Sequence, residues 1–103
     1  MNIHFATKPG TAKVPISKEV LKTEIAGWAQ KMKVEPKEVH VRPMHRKWGS
    51  CSTAGRVSFS LDVLAEPYKA RKEIIVHELL HLKVPNHGKL FKALLKAYLA
   101  MDA

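Results

Sequence analysis

The apolar residues of the chain recur at two spacings, one typical of helices and one typical of strands. Residues 20–32 carry apolar side chains at intervals of three and four, and Ser17 before them is a favourable N-cap. This stretch therefore predicts a helix that packs on a core. Residues 39–42 and 57–61 alternate between apolar and polar side chains and predict two strands, and a weaker alternation at residues 3–7 predicts a short first strand.

Longer apolar stretches in the second half of the chain predict two further helices. Residues 68–83 contain no glycine or proline and carry a broad apolar surface. Residues 90–98 have helical spacing with lysines on the outer face, and Asn86 is a candidate N-cap. The polar residues 45–52 are predicted to form a loop. The chain is therefore predicted to be a single α+β domain over residues 1–103, with a short sheet, a packing helix and two C-terminal helices.

The sequence His-Glu-Leu-Leu-His at residues 77–81 lies inside the first of these two C-terminal helices. Residues four apart on a helix share a face, with Cβ atoms about 5–6 Å apart, so His77 and His81 can offer two imidazoles to one metal ion. In HExxH sequences the glutamate acts on metal-bound water rather than on the metal. We therefore predict that His77 and His81 bind zinc and that Glu78 is the catalytic general base.

A third metal ligand is expected because catalytic zinc commonly has three protein ligands and one open position. The sequence after His81 contains no glutamate, which excludes the arrangement in which a later glutamate is the third ligand. Only His87 and Asp102 remain as side-chain ligands in that segment, and Asp102 is next to the chain end. A turn at Pro85 can fold the chain back toward His81, so we predict that His87 is the third zinc ligand.

Several supporting roles stay open at the level of sequence. A purely structural zinc site would need a fourth protein ligand, for which Cys51 and His45 are candidates. Glu73 lies one turn before His77 and is a candidate hydrogen-bond partner for that ligand. An oxyanion-stabilising group is also expected, and four residues are candidates for it: Tyr68, Tyr98, His45 and Arg46.

Composition and charge narrow the choice of partner and compartment. No apolar run approaches the roughly 18 residues that span a bilayer, so a transmembrane helix is not expected. Residues 1–5 do not resemble the start of a secretory signal, so a signal peptide is not expected either. The single cysteine, Cys51, excludes an internal disulfide and fits a reducing compartment, so we expect the cytoplasm. The net charge of +9 favours nucleic acid or nucleotides as partners, or else serves only as a solvated surface.

Several residues occur in a specific order along the second half of the chain: 47–52 (Lys-Trp-Gly-Ser-Cys-Ser), Gly55, Leu64, Pro67, 77–82 (His-Glu-Leu-Leu-His-Leu), Asn86, His87 and Phe91. This ordered combination resembles the YgjP-like zinc metallopeptidase domain, which is related to the SprT-like and WLM metalloproteases. The resemblance implies a zincin-type fold, zinc bound by the three histidines, Glu78 as the catalytic acid and base, and a cleft framed by the Trp-Gly-Ser-Cys segment and the strand after it. One departure is Lys47, because the family usually has arginine immediately before the tryptophan.

The leading expectation is a zinc-dependent metallopeptidase that cleaves peptide bonds with a metal-activated water and Glu78 as general base. One alternative is a nucleotide phosphohydrolase that uses the same site, and the other is a zinc-binding protein without activity that associates with DNA. For the peptidase we also expect that the strand at residues 57–61 lies at the edge of the sheet beside the metal helix. An extended peptide would then bind to it by strand addition.

Overall fold

Three helices and three strands make up residues 15–101, the part of the chain that the computed structural model describes. This arrangement confirms the predicted α+β fold, whereas the strand predicted at residues 3–7 lies outside the described residues. The elements are α1 (Lys18–Met32), β1 (Glu38–Arg42), β2 (Gly49–Cys51), β3 (Arg56–Ser60), a 3-10 helix (Leu61–Ala65), α2 (Tyr68–Leu80) and α3 (Lys89–Leu99).

Helix α1 begins and ends where its sequence provides caps. The side chain of Ser17 accepts a hydrogen bond from the amide of Val20 at 3.1 Å, which satisfies one of the free amides of the first turn. Lys33 adopts a left-handed conformation with φ 58°, and its amide donates to the carbonyl of Gln30 at 3.2 Å. The apolar stripe predicted from the spacing is buried against the core: Leu21, Ile25, Trp28, Ala29 and Met32.

The sheet has the order β1-β3-β2, so β3 is its central strand. It pairs with β1 in parallel and with β2 in antiparallel fashion. The prediction that the strand near residues 57–61 lies at the edge of the sheet is therefore wrong. The edge beside helix α2 is formed by β2.

Strand β2 occupies part of the segment that was predicted to be a loop. Its three residues, Gly-Ser-Cys, offer no apolar alternation that would identify a strand from sequence. The pairing with β3 determines it, since a tight turn at Gly55, with φ 92°, brings the two strands together. In this turn the amide of Gly55 donates to the carbonyl of Ser52 at 3.1 Å.

Strand β3 is buried on both faces, although its polar residues predict one exposed face. The exposed fractions of Ser58 and Ser60 are 2% and 1%. The loop before β2 covers this face, because the hydroxyl of Ser60 donates to the carbonyl of Met44 at 3.2 Å. Leu61, predicted to be the last residue of the strand, instead begins the 3-10 helix.

Helix α2 is the central helix of the fold. Every residue from 74 to 80 is buried, because α2 contacts α1, α3 and β2. Arg71 near its start binds both carboxylate oxygens of Glu24 on α1, from Nε at 2.9 Å and from Nη2 at 2.8 Å. Its Nη1 also donates to the carbonyl of Glu66 at 2.8 Å. These bonds join α1 to α2 through a buried charge.

The connection from α2 to α3 differs from the prediction at both ends. Helix α2 ends at Leu80 rather than at residue 83, and the amides of residues 81–83 bond to carbonyls three residues earlier. Helix α3 has Gly88 as its N-cap, whereas Asn86 accepts a hydrogen bond from the Gly88 amide at 3.2 Å. Within the described residues, no helix combines the length and apolar character that crossing a membrane requires.

Candidate active site

The three histidines predicted as metal ligands come together at the end of α2. His77 is in the last turn of the helix, His81 is its C-cap, and His87 follows the turn that leads to α3. One ring nitrogen of each lies within 4.8 Å of those of the other two, and Nε2 of His81 is 2.8 Å from Nε2 of His87. The expected return of the chain at Pro85 therefore places His87 beside His81.

The chemistry and spacing of these nitrogens fit a zinc ion. Tetrahedral ligands at 2.0–2.1 Å from zinc are about 3.4 Å apart, a value within the range of separations at this site. Burial lowers the pKa of His81, and the neighbouring His87 lowers it further. A lowered pKa keeps the imidazole neutral at physiological pH, which is the form that binds metals.

Phe91 of α3 forms a shared wall for the three imidazoles. Its ring centroid lies 5.1 Å from that of His77, 4.8 Å from that of His81 and 4.7 Å from that of His87. The phenylalanine is 2% exposed, so its position is fixed by the core. Ring contacts of this kind restrict the orientation of each imidazole. Helical spacing in the sequence indicates that Phe91 packs inward, but it does not indicate the contact of Phe91 with the three histidines.

Glu78 is a buried carboxylate that directly follows His77 in the sequence. Its exposed fraction is 1%, and its Oε2 has no hydrogen-bond partner among the described residues. Burial raises the pKa of Glu78 from its ordinary value of 4.5 to about 7, while the positive charge of Lys47 acts in the opposite direction. A carboxyl group with this pKa can both accept and release a proton near neutral pH.

A cleft of about 380 Å³ opens between β2 and the end of α2. Glu78 and His81 contribute to one side, and Leu82 and Pro85 extend that side toward α3. The other side is formed by residues 50–53, the end of β2 and the turn after it, together with Lys47. Ser50 and Cys51 of the Trp-Gly-Ser-Cys segment therefore border the cleft, as the resemblance implied, whereas no residue of the following strand β3 is among the lining residues.

The residues considered as a fourth zinc ligand are outside the histidine group. Among the described residues, the cluster with metal-ligand spacing contains only the three histidines, so Cys51 and His45 do not belong to it. The role of Glu73 as a hydrogen-bond partner of His77 stays a prediction. The thiol of Cys51 is near the carbonyl of Ser52 at 3.7 Å, and burial raises its pKa, which favours the uncharged thiol. Asp102 lies outside the described residues.

The candidates for oxyanion stabilisation do not line the cleft. Tyr68 lies at the opposite end of α2 with the guanidinium of Arg71 over its ring, and the hydroxyl of Tyr98 interacts with Lys83 at 3.4 Å. Neither His45 nor Arg46 is among the lining residues. Among the described residues, Lys47 is the lysine that lines the cleft, and the sequence patterns did not indicate it for this role. The signal that could have identified Lys47 is the resemblance itself, because the family usually has another cationic residue, arginine, at this position directly before the tryptophan.

The fold and the site define the class of this protein. A histidine cluster beside a buried glutamate, on a helix packed against a small mixed sheet, is the arrangement of a metallopeptidase. The chain belongs to the YgjP-like metallopeptidase domain family, which matches residues 15–101. This match extends well beyond residues 47–91, where the sequence motifs lie.

A solved structure supports the same class. The chain is similar to the crystal structure of the metallopeptidase zymogen of Methanocaldococcus jannaschii jannalysin, with a TM-score of 0.69 and 25% sequence identity. The similarity covers 76% of this chain and 80% of that chain. None of the curated proteins matches the sequence. The protein is thus a metallohydrolase of the metallopeptidase class.

Proposed function

We propose that the protein is a zinc-dependent metallopeptidase in which His77, His81 and His87 hold the metal and Glu78 is the general base. The observation that carries this proposal is the cluster of three imidazoles next to a buried carboxylate that borders a cleft. Three neutral ligands leave a zinc ion most of its positive charge and one open position.

A zinc ion held by His77, His81 and His87 would supply a Lewis acid for the carbonyl oxygen and would make water a stronger acid near neutral pH. Glu78 would take the proton of the attacking water, because it directly follows His77 and its side chain borders the cleft. The same carboxyl group delivers the proton to the leaving amine, which completes hydrolysis of the peptide bond.

The outer edge of β2 is the proposed binding place for the peptide. Backbone bonds join Ser60 to Trp48 at 2.9 Å and Ser52 to Arg56 at 2.8 Å across the β2–β3 pair. Because backbone groups in an antiparallel pair alternate in direction, the amides and carbonyls of Gly49 and Cys51 point away from β3. Among residues 15–101, no strand pairs with this edge. An extended peptide can bind these groups by strand addition.

Lys47 is the proposed source of positive charge for the developing oxyanion. It lines the cleft together with Glu78, and its charge is close enough to lower the pKa of that carboxyl group. A lysine acts here as a mobile point charge, so replacement by arginine preserves more of its effect than replacement by methionine.

The two alternative functions receive less support. A non-catalytic zinc site needs a fourth protein ligand, and the histidine group has none among the described residues. The comparisons give no support for nucleic-acid binding, and the family points to peptides or proteins rather than nucleotides as substrates. The cytoplasmic location and the single domain over residues 1–103 stay predictions.

The test compares zinc-loaded protein, chelator-treated protein and chelator-treated protein reloaded with zinc. Each form is incubated with a mixed peptide library and with a panel of nucleoside triphosphates. We expect cleaved peptides only with the two zinc-containing forms, and no zinc-dependent release of phosphate. Zinc-dependent phosphate release without peptide cleavage would replace the peptidase with the nucleotide hydrolase. Absence of both reactions in protein that binds one zinc per chain would reject the enzyme.

A further inference from the structure

Gly49 of β2 is in direct contact with the side chain of Glu78. A Cβ placed at Gly49 would lie 2.8 Å from Cγ and 3.3 Å from Cδ of Glu78. It would also lie 2.9 Å from the carbonyl oxygen of Ser58. Non-bonded carbon atoms normally approach to about 3.5–4.0 Å, so even a methyl group has no room at this position.

The need for glycine here comes from its neighbours and not from its backbone conformation. Gly55 is the glycine with a positive φ among the described residues, so the backbone of Gly49 is open to other residue types. Strand β2 cannot easily move aside, because the carbonyl of Trp48 bonds to Ser60 at 2.9 Å and the strand pairs with β3 on both sides of Gly49. A side chain at position 49 would therefore displace the side chain of Glu78.

Glu78 has little room to move away from an added side chain at position 49. It is 1% exposed and follows His77 on a helix whose residues 74–80 are all buried, so its backbone is fixed by the core. Its side chain would have to rotate, which moves the carboxylate relative to the cleft. A general base must be within about 2.6–3.2 Å of the proton that it takes, so a displacement of this kind disturbs proton transfer.

We propose that Gly49 is a positioning residue: the missing side chain at this position lets β2 pack against Glu78 and aims the carboxylate into the cleft. This inference rests on the proposed role of Glu78 as general base. It also gives β2 two functions, since the residue that presents backbone groups at the open edge of the sheet is the one that fixes the base. The peptide and the proton acceptor are then held by the same strand.

The chain provides a matched control in Gly27 of α1. A Cβ at Gly27 would meet no atom within 4 Å, and alanine is favoured over glycine inside a helix. Both Gly27→Ala and Gly49→Ala add one methyl group to a regular element. Any difference between the two variants therefore reports the surroundings of the added methyl group.

The first experiment measures kcat, KM and zinc content of both variants with a peptide that the wild-type protein cleaves. For Gly49→Ala we expect kcat to fall at least about 10-fold, since misplacement by about 1 Å can cost 10²-fold. We expect KM within about twofold of wild type and one zinc per chain, whereas Gly27→Ala should match wild type in all three. A kcat of Gly49→Ala within twofold of wild type would overturn the proposal.

The second experiment is independent of activity and covers the case in which Gly49→Ala folds poorly. The variant is made in the wild-type chain and in Glu78→Ala, which lacks Cγ and Cδ, and denaturation midpoints of the metal-free proteins are compared. A contact with Glu78 predicts a smaller loss from Gly49→Ala in the Glu78→Ala background. An equal loss of stability in the two backgrounds would show that the added methyl group clashes only with the Ser58 carbonyl. The proposal that Gly49 positions Glu78 would then be wrong. If no peptide is cleaved by wild type, this cycle still tests the contact separately from the proposed function.

Discussion

The two ends of α2 each bury an ionisable side chain, but the two side chains differ in their hydrogen bonding. Arg71 near the start makes two bonds to the carboxylate of Glu24 and one to the carbonyl of Glu66, all between 2.8 and 2.9 Å. Glu78 near the end has a buried Oε2 without a hydrogen-bond partner among the described residues. One end thus satisfies its charge, and the other leaves a charge-bearing atom unsatisfied.

This difference separates stability from reactivity within one helix. A buried charge that is fully bonded stays ionised and holds its partners in place. A buried carboxylate without compensation has its pKa raised, which for Glu78 means a value of about 7. We infer that the Arg71 end fixes α2 against α1 and so supports the geometry that the Glu78 end uses. The predictions below test that division, beginning with the largest expected effect.

Glu78→Gln should abolish most of the activity and leave the metal in place. Glutamine keeps the shape of the side chain but cannot accept the proton, so we expect hydrolysis to fall at least about 10²-fold. Zinc content by elemental analysis should stay at one per chain. The control is Glu35→Gln, an exposed carboxylate before β1, which should match wild type. A fully active Glu78→Gln protein would show that the two ends of α2 do not differ in function.

His87→Ala should weaken metal binding while the protein stays folded. Loss of one of three imidazoles should lower zinc affinity by at least about 10²-fold, more than the loss of a residue that only supports a ligand. Competition with a chromogenic chelator measures this, with His45→Ala as control because His45 is exposed and outside the cluster. Wild-type affinity in His87→Ala would remove His87 from the ligand set.

The sequence predicted that the three histidines lie close together, and the structure places them so for a physical reason. The positions of His77 and His81 follow from helix geometry, which depends on residue spacing alone. His87 lies close to His81 because the connection between them is short and can adopt few conformations. Periodicity likewise located α1 and the apolar part of α2, because burial of one stripe or of a whole helix leaves a regular pattern.

The strand half of the site could not be predicted in the same way. Strand β2 is three residues long and is defined by its partner β3, so no local pattern identifies it. Without β2, the open edge of the sheet was assigned to the strand that is in fact central. The contact of Gly49 with Glu78 and the place of Lys47 in the cleft both depend on that pairing. Both are tertiary contacts, which the spacing of residues along a single sequence does not reveal.

Arg71→Met should lower stability and leave the chemistry intact. It keeps most of the apolar volume but leaves Glu24 without its bidentate partner, at a side-chain exposure of 19%. We expect the free energy of unfolding to fall by about 2–3 kcal/mol, below the 3–5 of fully buried pairs. Chemical denaturation measures this, with the exposed Arg42→Met as control.

The same variant tests whether the Arg71 end is purely structural. The kcat per folded, zinc-loaded molecule should stay within about twofold of wild type, because Arg71 does not line the cleft. Glu24→Leu combined with Arg71→Met should regain part of the lost stability, since no charge is then left buried without a partner. A large fall in kcat without loss of stability would contradict the separation of the two ends.

The smallest expected effect is the pH dependence of stability in the metal-free protein. Burial raises the pKa of Glu78 from 4.5 to about 7, so the folded state binds this proton more tightly than the unfolded state does. Stability from this group is therefore complete below about pH 4.5, falls as the pH rises to about 7, and is level above it. The full shift corresponds to about 3 kcal/mol, and we expect about 1–2 because water can approach the ionised carboxylate.

Denaturation of wild type and Glu78→Gln between pH 4 and about 8, with chelator present, measures this contribution as the difference between the two curves. The difference removes the effect of His81, whose lowered pKa acts in the opposite direction because its unfolded state binds the proton more tightly. Glu38→Gln is the control: hydrogen bonding to His40 and the charge of Arg56 lower the pKa of Glu38, so its contribution is lost as the pH falls. Parallel curves for wild type and Glu78→Gln would show that Glu78 is as well satisfied as Arg71, and the contrast between the two ends of α2 would then be wrong.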